Sequence, residues 1–153
     1  MSRDAAGAVV VRLATLAEII ALRHAELRPG LARDAAHFDG DDETATRHFA
    51  AFLSDDPFPA GCASFMARPW HDEPAYQLRG MATRATLVRR GIGAALLRFA
   101  GPAVCTDSGV RLLWCNARVA AVPFYRRVGW EIASDVFDIP TVGPHHAMIR
   151  RLV

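Results

Sequence analysis

The segment that most constrains this chain runs from the strand-length stretch Ala75–Thr83 into Arg89-Arg90-Gly91-Ile92-Gly93-Ala94, where apolar positions take up helical spacing as far as Ala100. A strand that feeds a helix through a glycine-rich, arginine-flanked turn puts free backbone N–H groups and the positive end of the helix dipole at one point. Glycine there lets an anion approach the backbone. A pyrophosphate site is the reading this chemistry suggests. Two better-known phosphate motifs fail on residues. The dinucleotide pattern needs glycine where Leu96 stands, and the P-loop needs a lysine, which the chain lacks altogether. Read from the residues alone, Gly91 and Gly93 are equally consistent with nothing more than a tight strand-to-helix connection.

The rest of the composition narrows the class. A chain of 153 residues, 52% hydrophobic and 22% charged, is long enough for one domain with its own core, over residues 1–153. A net charge of +2 lacks the basic excess expected of a nucleic-acid binder, so no nucleic-acid partner is expected. No secretory leader or membrane-length apolar run is apparent, so the expected setting is cytoplasmic, with no membrane partner. Three widely spaced cysteines, Cys62, Cys105 and Cys115, form no CxxC pair and read as small buried hydrophobes; no metal site is expected.

Along the chain, Ala8–Leu13 reads as a strand and Leu16–Leu27 as an amphipathic helix capped by Thr15 and stopped by Arg28-Pro29-Gly30. Leu31–Glu43 is polar and aspartate-rich, a candidate for lining a pocket. Thr46–Leu53 and Gly61–Arg68 suggest an antiparallel hairpin around Ser54-Asp55-Asp56-Pro57, with Ala75–Thr83 as the third member of the meander. The helix from Arg90 is expected to kink or end at Gly101-Pro102, although it could continue to Asp107. Leu112–Cys115 is a strand, Ala120–Val128 a helix, Trp130–Asp138 a strand and His145–Leu152 the last strand. Strand runs with interspersed helices indicate an α+β, three-layer (α/β) domain on one central sheet. Trp70 or Trp130, if exposed, would mark a dimer surface, which leaves a homodimer open.

Two blocks carry a family resemblance. Tyr76-Gln77-Leu78-Arg79-Gly80-Met81-Ala82-Thr83 followed by Val88–Leu97, and Leu112–Arg118 followed by Val122-Pro123-Phe124-Tyr125-Arg126-Arg127-Val128-Gly129-Trp130-Glu131, closely resemble the two signatures of the GNAT N-acetyltransferase superfamily, in the family's order. The resemblance covers roughly residues 8–153. It implies a GNAT-like acyl-CoA N-acyltransferase fold whose central, mostly antiparallel mixed sheet is splayed between its fourth and fifth strands. Acetyl-CoA would lie in that opening as co-substrate. Backbone amides of Met81, Ala82 and Thr83 would bind the arm and thioester, and those of Arg89, Arg90, Gly91, Ile92, Gly93 and Ala94 the pyrophosphate. The chain departs from the family pattern at Val88, where glutamine or arginine is usual, with Arg89 or Arg90 as replacements.

The implied reaction is direct attack of a primary amine, on a small molecule or a peptide, on the thioester of acetyl-CoA. Tyr125 matches the family position that protonates the departing thiolate; a phenol is protonated at neutral pH and suits the task. Asn116 is either a holder of the pantetheine arm or a strand-end residue with a local capping role. Cys115 has no paired histidine in the motif, so packing is its expected role. No general base stands out among His24, Glu26, Asp34, His37, Asp39, His48, His145 and His146. Asp39, Asp41, Asp42 and Glu43 could steer a cationic amine or form a solvated loop. A non-catalytic acyl-CoA sensor would use the same cleft, and Tyr125 is the feature that argues for the enzyme.

Overall fold

A computed structural model describes residues 8–152. Its elements are β1 (Val9–Ala14), α1 (Leu16–Leu27), β2 (Arg47–Leu53), β3 (Gly61–Ala67), β4 (Tyr76–Thr83), α2 (Ile92–Ser108), β5 (Leu112–Arg118), α3 (Val122–Arg127), β6 (Glu131–Ile132), β7 (Phe137–Ile139) and β8 (Gly143–Arg151). They form one mixed sheet in the order β1-β2-β3-β4-β5-β8-β6, with β7 also pairing β8. All neighbours are antiparallel except β4 and β5, which run parallel.

The alternation of a pleated strand explains the layers. On β2, Ala50 points to the side covered by α1, where it joins Ile19 and Leu22. Its neighbours Phe49 and Ala51 point to the side covered by α2, among Leu96, Leu97 and Phe65. Cys62 and Ala63 divide in the same way on β3. The sheet is therefore sandwiched between two helices, as the element order predicts. Burial of Ile92, Leu96 and Leu97 fastens α2 to the sheet, each side chain contributing about 2 kcal/mol.

Local chemistry sets the ends of the helices. Thr15 opens α1 with a full capping box: its hydroxyl accepts from the Glu18 amide at 3.2 Å, and the Glu18 carboxylate accepts from the Thr15 amide at 2.8 Å. Gly101-Pro102 does not end α2, which runs on to Ser108. The apolar face continues through Val104 and Cys105, and packing of that face outweighs the hydrogen bond lost at exposed Pro102.

Three expectations need correction. The helix drawn over Ala120–Val128 is a 3-10 turn at Val119–Ala121 followed by only six helical residues. The single strand Trp130–Asp138 is two short strands, β6 and β7, that meet successive stretches of β8. Trp130 is 3% exposed and packs against the Tyr125 ring at 5.6 Å between centroids, so it marks no dimer surface. Among the described residues, no helix is long and apolar enough to cross a membrane.

Candidate functional site

The parallel contact between β4 and β5 is brief. Tyr76 pairs with Leu113 and Gln77 with Trp114, and beyond these the strands diverge. From Leu78 onward the edge of β4 that faces β5 carries no sheet partner, while the other edge stays bonded to β3 as far as Thr83 opposite Gly61. A bulge adds to the opening. Cys62 opposes Ala82 but Ser64 opposes Arg79, so β4 carries an extra residue there, with Gly80 at φ +62°. A side chain on Gly80 would come within 2.8 Å of Arg23 Nε and 3.1 Å of the Phe38 ring, so position 80 requires glycine for both conformation and space.

One side of this opening is a cavity of about 790 Å³ between the end of β4, the first turn of α2 and α3. Met81, Ala82, Thr83, Arg89, Gly91, Ile92, Gly93 and Ala94 all line it. Arg90 does not, and its side chain is exposed. The first helical bond of α2 runs from the Ala95 amide to the Gly91 carbonyl at 3.0 Å. The amides of Ile92, Gly93 and Ala94 therefore have no acceptor within the helix, and no side chain caps them. With no acidic residue in the first turn either, this is a helix end with donors and positive potential but no internal anion. Val88 lines the cavity with a half-exposed side chain, and Arg127 of α3 lines it as well as Arg89.

A second cavity of about 430 Å³ meets the first at Met81, Ala121 and Tyr125. Tyr125 is buried on α3 between Phe124 and Trp130, and its hydroxyl donates to Met81 Sδ at 3.9 Å. Burial holds its phenol well above the ordinary value, with Cys115 adding to the effect, so it stays protonated at neutral pH. Burial also pushes the Cys115 thiol up to about 12, which leaves it a packing group. Asn116 lies inside β5, opposite Ala147 of β8, and lines the second cavity; it is not at a strand end. His145 lines the same cavity from β8. Its Nδ1 lies 2.7 Å from the Gly143 carbonyl, which can only accept, so Nδ1–H donates there and Nε2 is the ring nitrogen left to take up a proton.

Beneath this site is a buried polar network that the sequence does not announce. Arg23, which falls in the helical spacing of α1, is fully buried and grips Asp41 through two bonds of 2.7 and 3.1 Å. It also donates to the Ala36 carbonyl and Ser64 Oγ, and Ser64 in turn bonds His48. Burial works against ionisation of Asp41, but the Arg23 hydrogen bonds and the Phe38 amide overcome it and hold the carboxyl below its usual range. Three of the four carboxylates of the acidic segment are paired: Asp41 with Arg23, Asp42 with His37 at 3.0 Å and Glu43 with Arg68 at 2.8 Å. None of its carboxylates lines the second cavity. Among the described residues, no group of three or more His, Cys, Asp or Glu side chains is placed to hold a metal ion.

Comparison with known proteins bears on the whole of this geometry. The family model described as acetyltransferase (GNAT) domain matches residues 45–132. The chain belongs to the GNAT family. An uncharacterized N-acetyltransferase, YitI, of Bacillus subtilis is 29% identical over 143 residues, covering 93% of this chain and 95% of that protein. A crystal structure from Lactobacillus plantarum, provisionally described as an N-acetyltransferase, superposes with a TM-score of 0.77 at 22% identity, over 96% of this chain and all of that one. An aminoglycoside 6'-N-acetyltransferase complexed with coenzyme A gives 0.73 at 11% identity, over 94% and 97% of the two chains. The α+β GNAT fold, with its mixed sheet opened between the fourth and fifth strands, is thus the fold of this chain.

Proposed function

We propose that the protein is an acetyl-CoA-dependent N-acetyltransferase that acetylates a primary amine of a small molecule or peptide by direct attack. The observation that carries this reading is the meeting of two cavities at Met81 and Tyr125, one ending at three unsatisfied helix amides, the other open to a second reactant. The first fits a diphosphate at Ile92, Gly93 and Ala94, with Arg89 and Arg127 beside it and an extended arm along the unpaired edge of β4. The aminoglycoside acetyltransferase of the same fold is complexed with coenzyme A, which supports this assignment of the larger cavity.

Each chemical task then falls to a residue. An amide of β4 between Met81 and Thr83 donates to the oxyanion that develops as the amine adds to the thioester carbon. His145 Nε2, directly or through water, takes the proton the amine loses. The C–N bond forms, the C–S bond breaks, and the Tyr125 hydroxyl gives its proton to the departing sulfur. Backbone donors replace the side chain absent at Val88. A thermal-shift titration with acetyl-CoA, using adenosine as control, tests the cavity: saturable stabilisation is expected. Release of CoA thiol with a panel of amines tests the reaction, and binding without release on any amine would favour a sensor.

A further inference from the structure

The second cavity is lined by arginines and by no carboxylate of a described residue. Arg28, from the end of α1, and Arg79, from β4, both line it, with Arg118 of β5 at its rim; no aspartate or glutamate does. Three guanidiniums crowd one phenyl ring: Arg23, Arg79 and Arg28 lie 4.2, 5.0 and 5.1 Å from the centroid of Phe38. Only Arg23 has a carboxylate, Asp41, and both oxygens of that carboxylate are taken. Arg28 donates to the Leu27 carbonyl at 2.9 Å and forms no ion pair with a described residue. Arg79 makes neither a hydrogen bond nor an ion pair with any described residue.

Such an arrangement is costly in the empty protein. Half-buried Arg79 has its pKa lowered, first by burial and then by Arg23, with Arg28 and Arg68 adding repulsion; only Asp41 works the other way. A charged fork held in a cleft without a counter-charge suits a ligand that brings one, and guanidinium geometry favours a planar or tetrahedral oxyanion. Resting on the acetyltransferase reading of the same site, we infer that the acceptor is an amine that also carries an anionic group, a carboxylate or a phosphate. Arg79 and Arg28, stacked on Phe38, clamp that group while the amine points toward Tyr125 and His145. Polycationic amines are excluded by like-charge repulsion.

The experiment compares CoA release, at saturating acetyl-CoA, for glycine, L-glutamate and O-phosphoethanolamine against glycinamide, ethanolamine and spermidine. At least one anionic amine is expected to exceed its uncharged counterpart by about tenfold or more in kcat/KM. The amino acids and the phosphate ester separate a carboxylate clamp from a phosphate clamp. In Arg79→Met the KM for the preferred amine rises by about tenfold or more, while the dissociation constant for acetyl-CoA stays unchanged and the preference over the uncharged analogue shrinks. Faster transfer to glycinamide, ethanolamine or spermidine overturns the anionic-acceptor proposal and leaves the enzyme standing. An Arg79→Met effect confined to acetyl-CoA affinity overturns it too, by assigning the arginine to the co-substrate. Bound acetyl-CoA with no transfer to any of the six contradicts both readings.

Discussion

The Tyr125 hydroxyl reaches across the opened sheet to Met81 Sδ, 3.9 Å away, and so joins the helix after β5 to the free edge of β4 where the two cavities meet. No other described polar side chain lies in both cavities apart from this phenol. Tyr125→Phe keeps the ring between Phe124 and Trp130 and removes only the hydroxyl. Its kcat is expected to fall by about 10² or more with acetyl-CoA affinity unchanged. Unchanged turnover would take the general-acid role away from Tyr125.

His145→Gln removes the imidazole that accepts the proton and keeps a polar side chain of similar reach. The variant is expected to lower kcat by about 10² and leave the acetyl-CoA dissociation constant where it was. The contact between the His145 and Phe137 rings, 6.1 Å apart, is lost as well, so the variant's melting temperature is measured alongside. A loss of turnover that only follows a loss of folded protein would assign the residue to structure.

Gly93 is a point of close approach. A Cβ there would meet Met81 Cε at 3.1 Å and the Phe124 ring at 3.2 Å, both on the wall of the larger cavity. Gly93→Val is expected to weaken acetyl-CoA binding by about tenfold or more, read by titration calorimetry, while circular dichroism shows α2 intact. Full affinity in Gly93→Val would place the co-substrate elsewhere.

The buried ion pair sets the acid limit of stability. Because the Asp41 carboxyl titrates below its unfolded value, its contribution is present above the ordinary aspartate range, near pH 4. It is lost as pH falls through the lower folded value. Asp41→Ala leaves Arg23 charged and unpaired in the interior, and about 3–5 kcal/mol of destabilisation in urea unfolding is expected. The double variant Arg23→Met/Asp41→Ala should recover part of that loss.

At alkaline pH the sign reverses. Burial pushes the thiols of Cys62 and Cys115 up to about 12 and raises Tyr125 as well, so the folded state holds protons that the unfolded chain releases. Stability from these groups is complete below about pH 9 and drains away as pH rises toward 12, each group contributing a slope of up to about 1.4 kcal/mol per pH unit. Urea midpoints between pH 8 and 10.5 should fall, and should fall less steeply in Cys62→Ala/Cys115→Ala.

How far the sequence reaches depends on the range of the interactions that fix each element. α1 is read to its ends, Leu16 and Leu27, because Thr15 and Glu18 settle its start locally. The meander of β2, β3 and β4 and the turn into Gly91 are legible for the same reason. Pro102 misleads, since what carries α2 past it is burial of Val104 and Cys105 in the tertiary core. The Arg23–Asp41 pair is hidden because each partner looks ordinary in its own segment, a basic residue in a helix and an acid in an aspartate-rich loop. Only the fold reveals that Asp41 is spent on Arg23 and that the arginines lining the neighbouring cavity have no carboxylate among the described residues.

The central claim is that acetyl-CoA lies between β4 and β5 with its diphosphate on the first turn of α2. Backbone hydrogen–deuterium exchange with and without saturating acetyl-CoA tests this directly. The account predicts new protection over Met81–Thr83 and Arg89–Ala94, with none in the acidic segment His37–Glu43. Protection absent from both stretches in folded protein, or confined to another part of the sheet, would contradict it.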